Sequence, residues 1–396
     1  MPSPLHVRMV DPSFSLFHYD VELSTALQYH VDDFSLWAPI ALRDRSYPLP
    51  ADMPRIHGAS LHGLTRGSGR LFGRPVQGYD YFLNEFYAAA GLLFARPKPI
   101  IHIQFLSLFG RSSLEARWLD WLKARSSHIV YTVHDVLPPD RHDNAALIAG
   151  YARLYHLVDH IIVHTDYQKE QIVDRFGIAA VKVSVVQMGP FFHRLSLPPR
   201  AEAAKRLGLD PARPLLLHFG HMRPYKGTEG LIEAAALLRQ EHPDLQLLLV
   251  GKATAEREQV LRDCIRLRGL EANVHCRFDY LPTSELAFYF AVADAIVLPY
   301  LYIDQSGVLL SALGLGIPVV ASDVGGMAEI IRGQDLGFVC QPEAPHDLAA
   351  QLAFVLSHPA EARQKAERAR RYVLTELGWP AIAERTADLY RTLLAA

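Results

Sequence analysis

The stretch Leu215–Gly227, LLLHFGHMRPYKG, decides the fold of the second half of the chain. Its first five residues, 215–219, have the length and the apolar composition of a buried strand. Gly220 ends the strand, and a loop with two cations, Arg223 and Lys226, follows before a helical pattern resumes. A strand, a short loop and a helix in this order predict one unit of a parallel α/β sheet.

A second stretch of the same kind lies further along the chain. Residues 295–299 are typical of another buried strand, and Gln305 precedes a helix that ends near Gly316. Free N–H groups at a helix start attract anions, a serine caps the start, and a glycine lets an anion approach the backbone. The two stretches together predict a diphosphate pocket. Its predicted ligands are Arg223, Lys226, Ser306, Gly307 and Val308.

Short apolar runs alternate with helical patterns along the whole chain, which predicts an α/β fold of two doubly wound, Rossmann-like units. The candidate strands are 5–10, 34–37, 100–104, 129–134, 160–165, 181–186, 215–219, 245–250, 274–277, 295–299, 317–321 and 338–340. The proline-rich stretch 197–200 predicts the boundary between the units, and we expect 43–78 to form an irregular loop excursion. In such sheets, ligands lie beyond the carboxyl ends of the strands.

The composition excludes several classes of protein. A chain of 396 residues suits two domains of about 180 residues each. A formal net charge of -2 gives no overall field for nucleic acid, so we expect no nucleic-acid partner. Cys264, Cys276 and Cys340 are far apart and favour neither a disulfide framework nor a zinc ribbon.

The sequence favours a cytoplasmic protein. Arg8 interrupts the first apolar run before it could serve as a signal-peptide core. The apolar stretch 286–303 carries Asp294 at its middle, and a helix followed by a strand explains it better than a transmembrane segment.

Four motifs in this order resemble the GT-B glycosyltransferases of family 4: Thr-Val-His-Asp at 132–135, Phe-Gly-x-x-Arg-Pro-Tyr-Lys-Gly at 219–227, Gln-Ser-Gly-Val-Leu-Leu at 305–310, and Gly-Ile-Pro-Val-Val-Ala-Ser-Asp-Val-Gly-Gly at 316–326. The resemblance implies two domains that face a central cleft. In such a fold, the first domain, residues 1–198, would bind the acceptor, and the second, residues 199–378, would bind the nucleotide sugar. The last helix, in residues 379–396, would cross back to the first domain.

The resemblance also implies a reaction. A sugar would pass from a UDP- or GDP-sugar to a glycan or lipid-linked acceptor, with retention, in polysaccharide or glycoconjugate biosynthesis. Arg223 and Lys226 would neutralise the leaving diphosphate without a metal or another cofactor. His134, at the end of a predicted strand, would bond the transferred sugar or shuttle a proton.

The chain departs from the family pattern at the ribose. Many relatives carry two glutamates eight residues apart, and Ile303 and Ser311 stand at those positions here. Asp304 could replace the first carboxylate and Ser311 could bond the ribose, while Gln305 is a candidate for the donor sugar. His221 likewise stands where relatives have an arginine.

The resemblance further implies that Arg277, Leu281 and Ser311 would bind the nucleoside. Positions at or after strand ends make Tyr19, Asp20, His102 and Gln104 candidates for contact with the acceptor. Helix capping is the simpler alternative for Asp20.

A basic, aromatic helix at 117–125 would allow peripheral membrane contact, as in relatives with lipid-linked acceptors, but its apolar residues recur at helical spacing and favour an ordinary domain helix. Two other functions stay open: a nucleotide-sugar epimerase, and a noncatalytic partner subunit of a glycan-assembly complex.

Overall fold

The computed structural model describes residues 4–13, 16–39, 46–58, 73–92, 95, 97–106, 113–138 and 144–395. The chain divides into two compact units. The first comprises Met1–Arg43, Leu49–Met188 and Trp379–Ala396, and the second comprises Asp44–Pro48 and Gly189–Gly378.

The boundary at 188/189 lies ten residues before the predicted one at 198/199. The residues between belong to the second unit because their aromatic side chains pack there. The Phe192 ring contacts those of Phe219 and Phe290, with centroids 6.4 and 5.9 Å away. Tyr47 joins the same unit by donating its hydroxyl hydrogen to the Phe191 carbonyl, at 2.8 Å.

The first unit is built on a seven-stranded parallel sheet in the order β3-β2-β1-β4-β5-β6-β7. Its strands are β1 His6–Val10, β2 Asp33–Trp37, β3 Ile56–His57, β4 Ile100–Ile103, β5 Ile129–Thr132, β6 His160–Val163 and β7 Val183–Val185. Its helices are α1 Phe17–Leu27, α2 Gly73–Leu92, α3 Ser113–Lys123, α4 Ala145–Leu157, α5 Asp166–Phe176 and, from the end of the chain, α14 Trp379–Ala395.

The second unit is built on a six-stranded parallel sheet in the order β10-β9-β8-β11-β12-β13. Its strands are β8 Leu215–Phe219, β9 Gln246–Val250, β10 Val274–Arg277, β11 Ala295–Leu298, β12 Val319–Ser322 and β13 Phe338–Cys340. Its helices are α6 Arg200–Leu207, α7 Thr228–Leu238, α8 Ala255–Leu267, α9 Thr283–Val292, α10 Gly307–Gly314, α11 Gly325–Gln334, α12 Pro345–Ser357 and α13 Pro359–Thr375.

The predicted α/β class with two doubly wound sheets is confirmed. All of the predicted strands are present, with bounds within two residues of those expected. The short strand β3 was missed because its two residues lie in the stretch read as an irregular loop. Of that stretch, 43–45 and 59–72 lie outside the described residues, and its last part is helical, since α2 begins at Gly73.

The C-terminal helix α14 packs within the first unit. Its Tyr390 hydroxyl lies 2.5 Å from Nδ1 of His102 beyond the middle of β4, and Arg391 donates to the His30 carbonyl at 2.8 Å. Tyr390 is fully buried, so this contact ties the last helix to the interior of the first sheet.

A buried histidine joins the two central strands of the second sheet. Nδ1 of His218, on β8, donates to the Val297 carbonyl of β11 at 2.9 Å, and its Nε2 lies 3.1 Å from the Thr228 hydroxyl. Burial lowers the pKa of His218 to about 4, so its ring is neutral near neutral pH. The ring therefore fixes β11 and the start of α7 against β8.

We predict that His218 makes the second unit acid-sensitive. The unfolded chain binds a proton at this ring below a pKa of about 6.5, whereas the folded chain does so only near 4, so its contribution to stability is complete above pH 6.5 and is lost as the pH falls. The loss should reach about 3 kcal/mol at pH 4. In His218→Gln the unfolding free energy, measured by urea titration from pH 7 to 4, should fall less steeply. An equal slope in the two proteins would contradict the assignment.

Candidate functional site

The two central strands of the second sheet define the position of the site. β8 and β11 are hydrogen-bonded neighbours, but the chain leaves β8 toward β9 on one side and leaves β11 toward β12 on the other. Loops that diverge in this way leave a crevice at the carboxyl end of the sheet, where open α/β sheets bind their ligands. Both sequence stretches that predicted a diphosphate pocket lie in these two loops.

The loop after β8 is held by two glycines with positive φ. Gly220, at 122°, donates its amide to the Val250 carbonyl of β9 at 2.9 Å. Gly227, at 63°, ends the single 3-10 turn Pro224–Lys226, and a Cβ at this position would overlap the Pro299 carbonyl oxygen. Only glycine allows the two loops to approach so closely.

Lys226 lies in an aromatic environment. Its Nζ is 3.8 Å from the ring centroid of Tyr300 and 5.3 Å from that of Tyr225, and the residue is only 7% exposed. Tyr300 is fully buried, and burial raises its pKa, so the ring stays neutral. A cation over such a ring gains about 2 kcal/mol when it is desolvated. The sequence prediction chose Lys226 but missed Tyr300, although it directly follows the predicted strand.

The start of α10 forms the opposite side of the site. Ser306 is its N-cap residue, and its hydroxyl oxygen accepts the Leu309 amide at 3.2 Å. Gly307 is the first helical residue, and a Cβ there would overlap the Phe191 ring. The N–H groups in the first turn of a helix have no acceptor within the helix and point toward whatever lies beyond its end.

The loop and the helix start converge on Gly220. A Cβ at Gly220 would lie 3.9 Å from Nζ of Lys226 and 3.9 Å from Cγ2 of Val308. Desolvation is the main cause that lowers the pKa of His221, and the positive charges of Lys252 and Lys226 nearby lower it further. Lys226 and Val308 thus lie beside the same glycine, Ser306 and Gly307 directly precede Val308, and Arg223 lies exposed in the loop of Lys226.

Gln305 carries a buried amide donor for which the described part of the chain offers no acceptor. Its Oε1 accepts the Ser306 amide at 2.9 Å, whereas its Nε2 is buried and has no hydrogen-bond partner among the described residues. A buried unsatisfied donor costs about 1–3 kcal/mol, which a ligand oxygen could recover. Asp304, beside it, is partly exposed. Contact of both residues with a donor sugar remains a prediction.

The structure does not support Ser311 as a ribose ligand. Its side chain is fully buried, its hydroxyl donates to the Gly307 carbonyl at 2.6 Å, and it accepts the Phe191 amide at 3.2 Å. Ser311 therefore holds 189–193 against α10. Arg277 is half exposed and lies within 3.4 Å of Asp279, while Leu281 is 6% exposed, and their contact with a nucleoside remains a prediction.

A second group of predicted residues lies at the carboxyl edge of the first sheet. His134 follows β5 and is partly exposed; its Nδ1 lies 3.1 Å from Nε2 of His164, and its Nε2 lies 3.3 Å from Oε1 of Gln104. The Tyr19 ring packs edge-on against the His134 ring, with the two ring centroids 4.6 Å apart. Burial first, and then the neighbouring histidines, lowers the pKa of His134.

The four predicted acceptor residues are all buried in this unit. Tyr19 is 2% exposed, and Asp20, His102 and Gln104 are fully buried. The pKa of His102 is lowered to about 3, mainly by burial, and that of Asp20 is raised by burial and then by the charge of Asp11. Direct contact of these side chains with an acceptor is therefore not supported, because none of them reaches the surface.

Comparisons with known proteins agree with this architecture. Residues 199–372 match the family model for Glycosyl transferases group 1, and residues 40–189 match that for Glycosyltransferase Family 4. The sucrose-phosphate synthase of Thermosynechococcus elongatus has a TM-score of 0.74 at 20% identity, with 99% of this chain and 100% of the synthase chain covered. HepE of Anabaena, solved with UDP, has a TM-score of 0.70 at 17% identity, with 98% of this chain and 100% of HepE covered.

Among curated proteins, the glycogen synthase of Mycobacterium tuberculosis (strain CDC 1551 / Oshkosh) is 30% identical over 233 residues, which are 59% of this chain and 54% of that protein. The chain spans about half to three fifths of the length of such relatives.

The two parallel sheets and the structural likenesses define the GT-B class. Within it, the chain is similar to the family 4-like glycosyltransferases, since each of two such family models matches a different part of it. Among the described helices, none is long and apolar enough to cross a membrane.

We predict that the Tyr300 ring positions Lys226 for anion binding. Tyr300→Leu should weaken the binding of inorganic pyrophosphate about tenfold, because loss of the cation–π contact frees the ammonium group. Tyr300→Phe keeps the ring and should bind within about twofold of the wild type. Isothermal titration calorimetry measures both affinities. Equal weakening in the two variants would show that the ring does not act on Lys226.

Proposed function

We propose that this protein transfers a sugar from a nucleotide diphosphate sugar, with UDP or GDP as the nucleotide, to a glycan or lipid-linked acceptor. The observation that carries this proposal is the convergence of Lys226 and the first turn of α10 on the backbone of Gly220. A desolvated cation that faces helix amides suits a diphosphate, which offers several anionic oxygens to both.

The geometry suits the chemistry of the leaving group. As the bond from the sugar C1 to the diphosphate oxygen breaks, negative charge grows on the diphosphate, and a preorganised cation in a site of low dielectric stabilises it most. Lys226 is such a cation, since Tyr300 fixes its position. Arg223 can bind two oxygens with its guanidinium fork, whereas Lys226 acts as a point charge.

Support for the donor also comes from HepE, which has been solved with UDP-glucose as well as with UDP. We extend that ligand class to this chain, because the same fold places Gly220, Lys226 and Val308 together. Retention of configuration, the glycan or lipid-linked acceptor and a role for His134 at the donor sugar rest on the family resemblance and belong to the same proposal.

We predict that Lys226 and Arg223 make the protein selective for diphosphates. UDP or GDP should raise the Tm of the wild type more than the matching monophosphate does, and Lys226→Ala combined with Arg223→Ala should abolish this difference. In Lys226→Ala alone, turnover should fall on the order of a hundredfold. Lys205→Ala, which removes an exposed lysine from α6 in the same unit, is the matched control and should behave as the wild type.

Two outcomes would contradict the proposal. Unchanged turnover in Lys226→Ala would remove the assigned role of the lysine. The absence of a Tm shift with UDP, GDP or ADP, together with no hydrolysis of any nucleotide sugar, would favour a noncatalytic partner subunit of a glycan-assembly complex.

We also propose that the transfer requires no metal, because Lys226, Arg223 and the amides of α10 supply the positive charge that a divalent cation would otherwise provide. Chelation of divalent cations with EDTA should therefore change turnover by less than about twofold. A larger fall that added Mg²⁺ or Mn²⁺ restores would contradict this part of the proposal and leave the donor class standing.

A further inference from the structure

Three polar side chains form a row at the carboxyl edge of the first sheet. Gln104, His134 and His164 follow β4, β5 and β6, which are adjacent in the sheet. Their side chains are linked in this order by the two contacts of His134, at 3.3 Å to Gln104 and 3.1 Å to His164. At the far end, Nδ1 of His164 lies 2.9 Å from the Val186 carbonyl oxygen.

The Val186 carbonyl fixes the proton positions along this row. A carbonyl oxygen only accepts, so Nδ1 of His164 carries a proton. Burial lowers the pKa of His164 to about 4, so the ring has a single N–H near neutral pH, and its Nε2 is an acceptor. His134 must then donate from Nδ1, because two lone pairs cannot bond to each other.

Donation from Nδ1 also fixes the protonation of the other ring nitrogen of His134. In the neutral ring, Nε2 then carries a lone pair, and it lies 3.3 Å from Oε1 of Gln104, whose own Nε2 lies 3.3 and 3.2 Å from the two ring nitrogens of His102. The amide oxygen cannot donate to it. The acceptor is satisfied either by the amide nitrogen, once the amide is turned over, or by a hydroxyl of a bound sugar.

We propose that His164 is a positioning residue that keeps the proton of His134 on Nδ1 and presents Nε2 of His134 as the acceptor for a substrate hydroxyl. The use of Nε2 by substrate rests on the proposed function, whereas the tautomer is a property of the protein alone. His164 touches no reacting atom in this account and acts only through His134.

Long-range ¹H–¹⁵N NMR spectra of protein labelled at histidine test the tautomer, since protonated and unprotonated ring nitrogens differ strongly in ¹⁵N shift. His134→Gln assigns the His134 signals by their loss. The wild type should show His134 as the Nδ1–H tautomer. His134 as the Nε2–H tautomer would overturn the proposal, whether or not the His164 variants fold.

Three variants separate positioning from a merely structural role. His164→Leu removes the acceptor and should shift His134 toward Nε2–H and lower kcat about tenfold with little change in KM. His164→Gln offers an amide oxygen in place of Nε2 and should restore both the tautomer and kcat to within about threefold. His160→Leu is the control, since His160 is also a buried histidine of β6, but it bonds to Ser184 at 2.9 Å, outside the row.

The outcomes also separate this inference from the proposed function. An unchanged His134 tautomer in His164→Leu, or an equal loss of kcat in His164→Leu, His164→Gln and His160→Leu, would overturn the inference while transfer by the wild type still supports the function. If the wild type turns over no nucleotide sugar, the proposed function fails, and the NMR spectra still decide the tautomer.

Discussion

The close approach of the loops after β8 and β11 is the constraint on which the second unit depends. Gly227 has no room for a Cβ beside the Pro299 carbonyl, and the Leu301 amide donates to the Tyr225 carbonyl at 2.8 Å. This contact sets Tyr300 under the ammonium group of Lys226. Below it, His218 bonds β8 to β11, so the interior of the sheet and the rim of the site are held by the same pair of strands.

The two sheets differ at the point where two neighbouring strands lead to opposite sides of the sheet. In the second, glycines and a helix start bring backbone amides and a cation to the surface of the crevice, as an anion site requires. In the first, β1 and β4 diverge, and the positions that follow them hold the buried Asp11 and Gln104. His134, one strand along, is partly exposed. The orientation of this ring is therefore set by its buried neighbours Gln104 and His164.

The strands and the loop that carries Lys226 could be predicted from the sequence because their signals are local. A short apolar run between turn residues defines a strand, and a glycine beside a cation or a helix start defines an anion site. The partners of these residues could not be predicted. Tyr300, His164 and Phe191 come from other elements, and only the fold brings them to Lys226, His134 and Ser311. The sequence did contain one signal for the partner of His134, since His164 follows β6 as His134 follows β5.

The position that relatives use for a ribose carboxylate has a different physical role in this chain. Ser311 connects the Gly307 carbonyl to the Phe191 amide, and Ile303, at the other expected glutamate, is 8% exposed. A carboxylate at Ser311 would be buried against a carbonyl oxygen, which is unfavourable for a charge. The missing glutamates are therefore coupled to the packing of 189–193 on α10. A ribose bound at this site would have to be recognised by groups other than these two side chains.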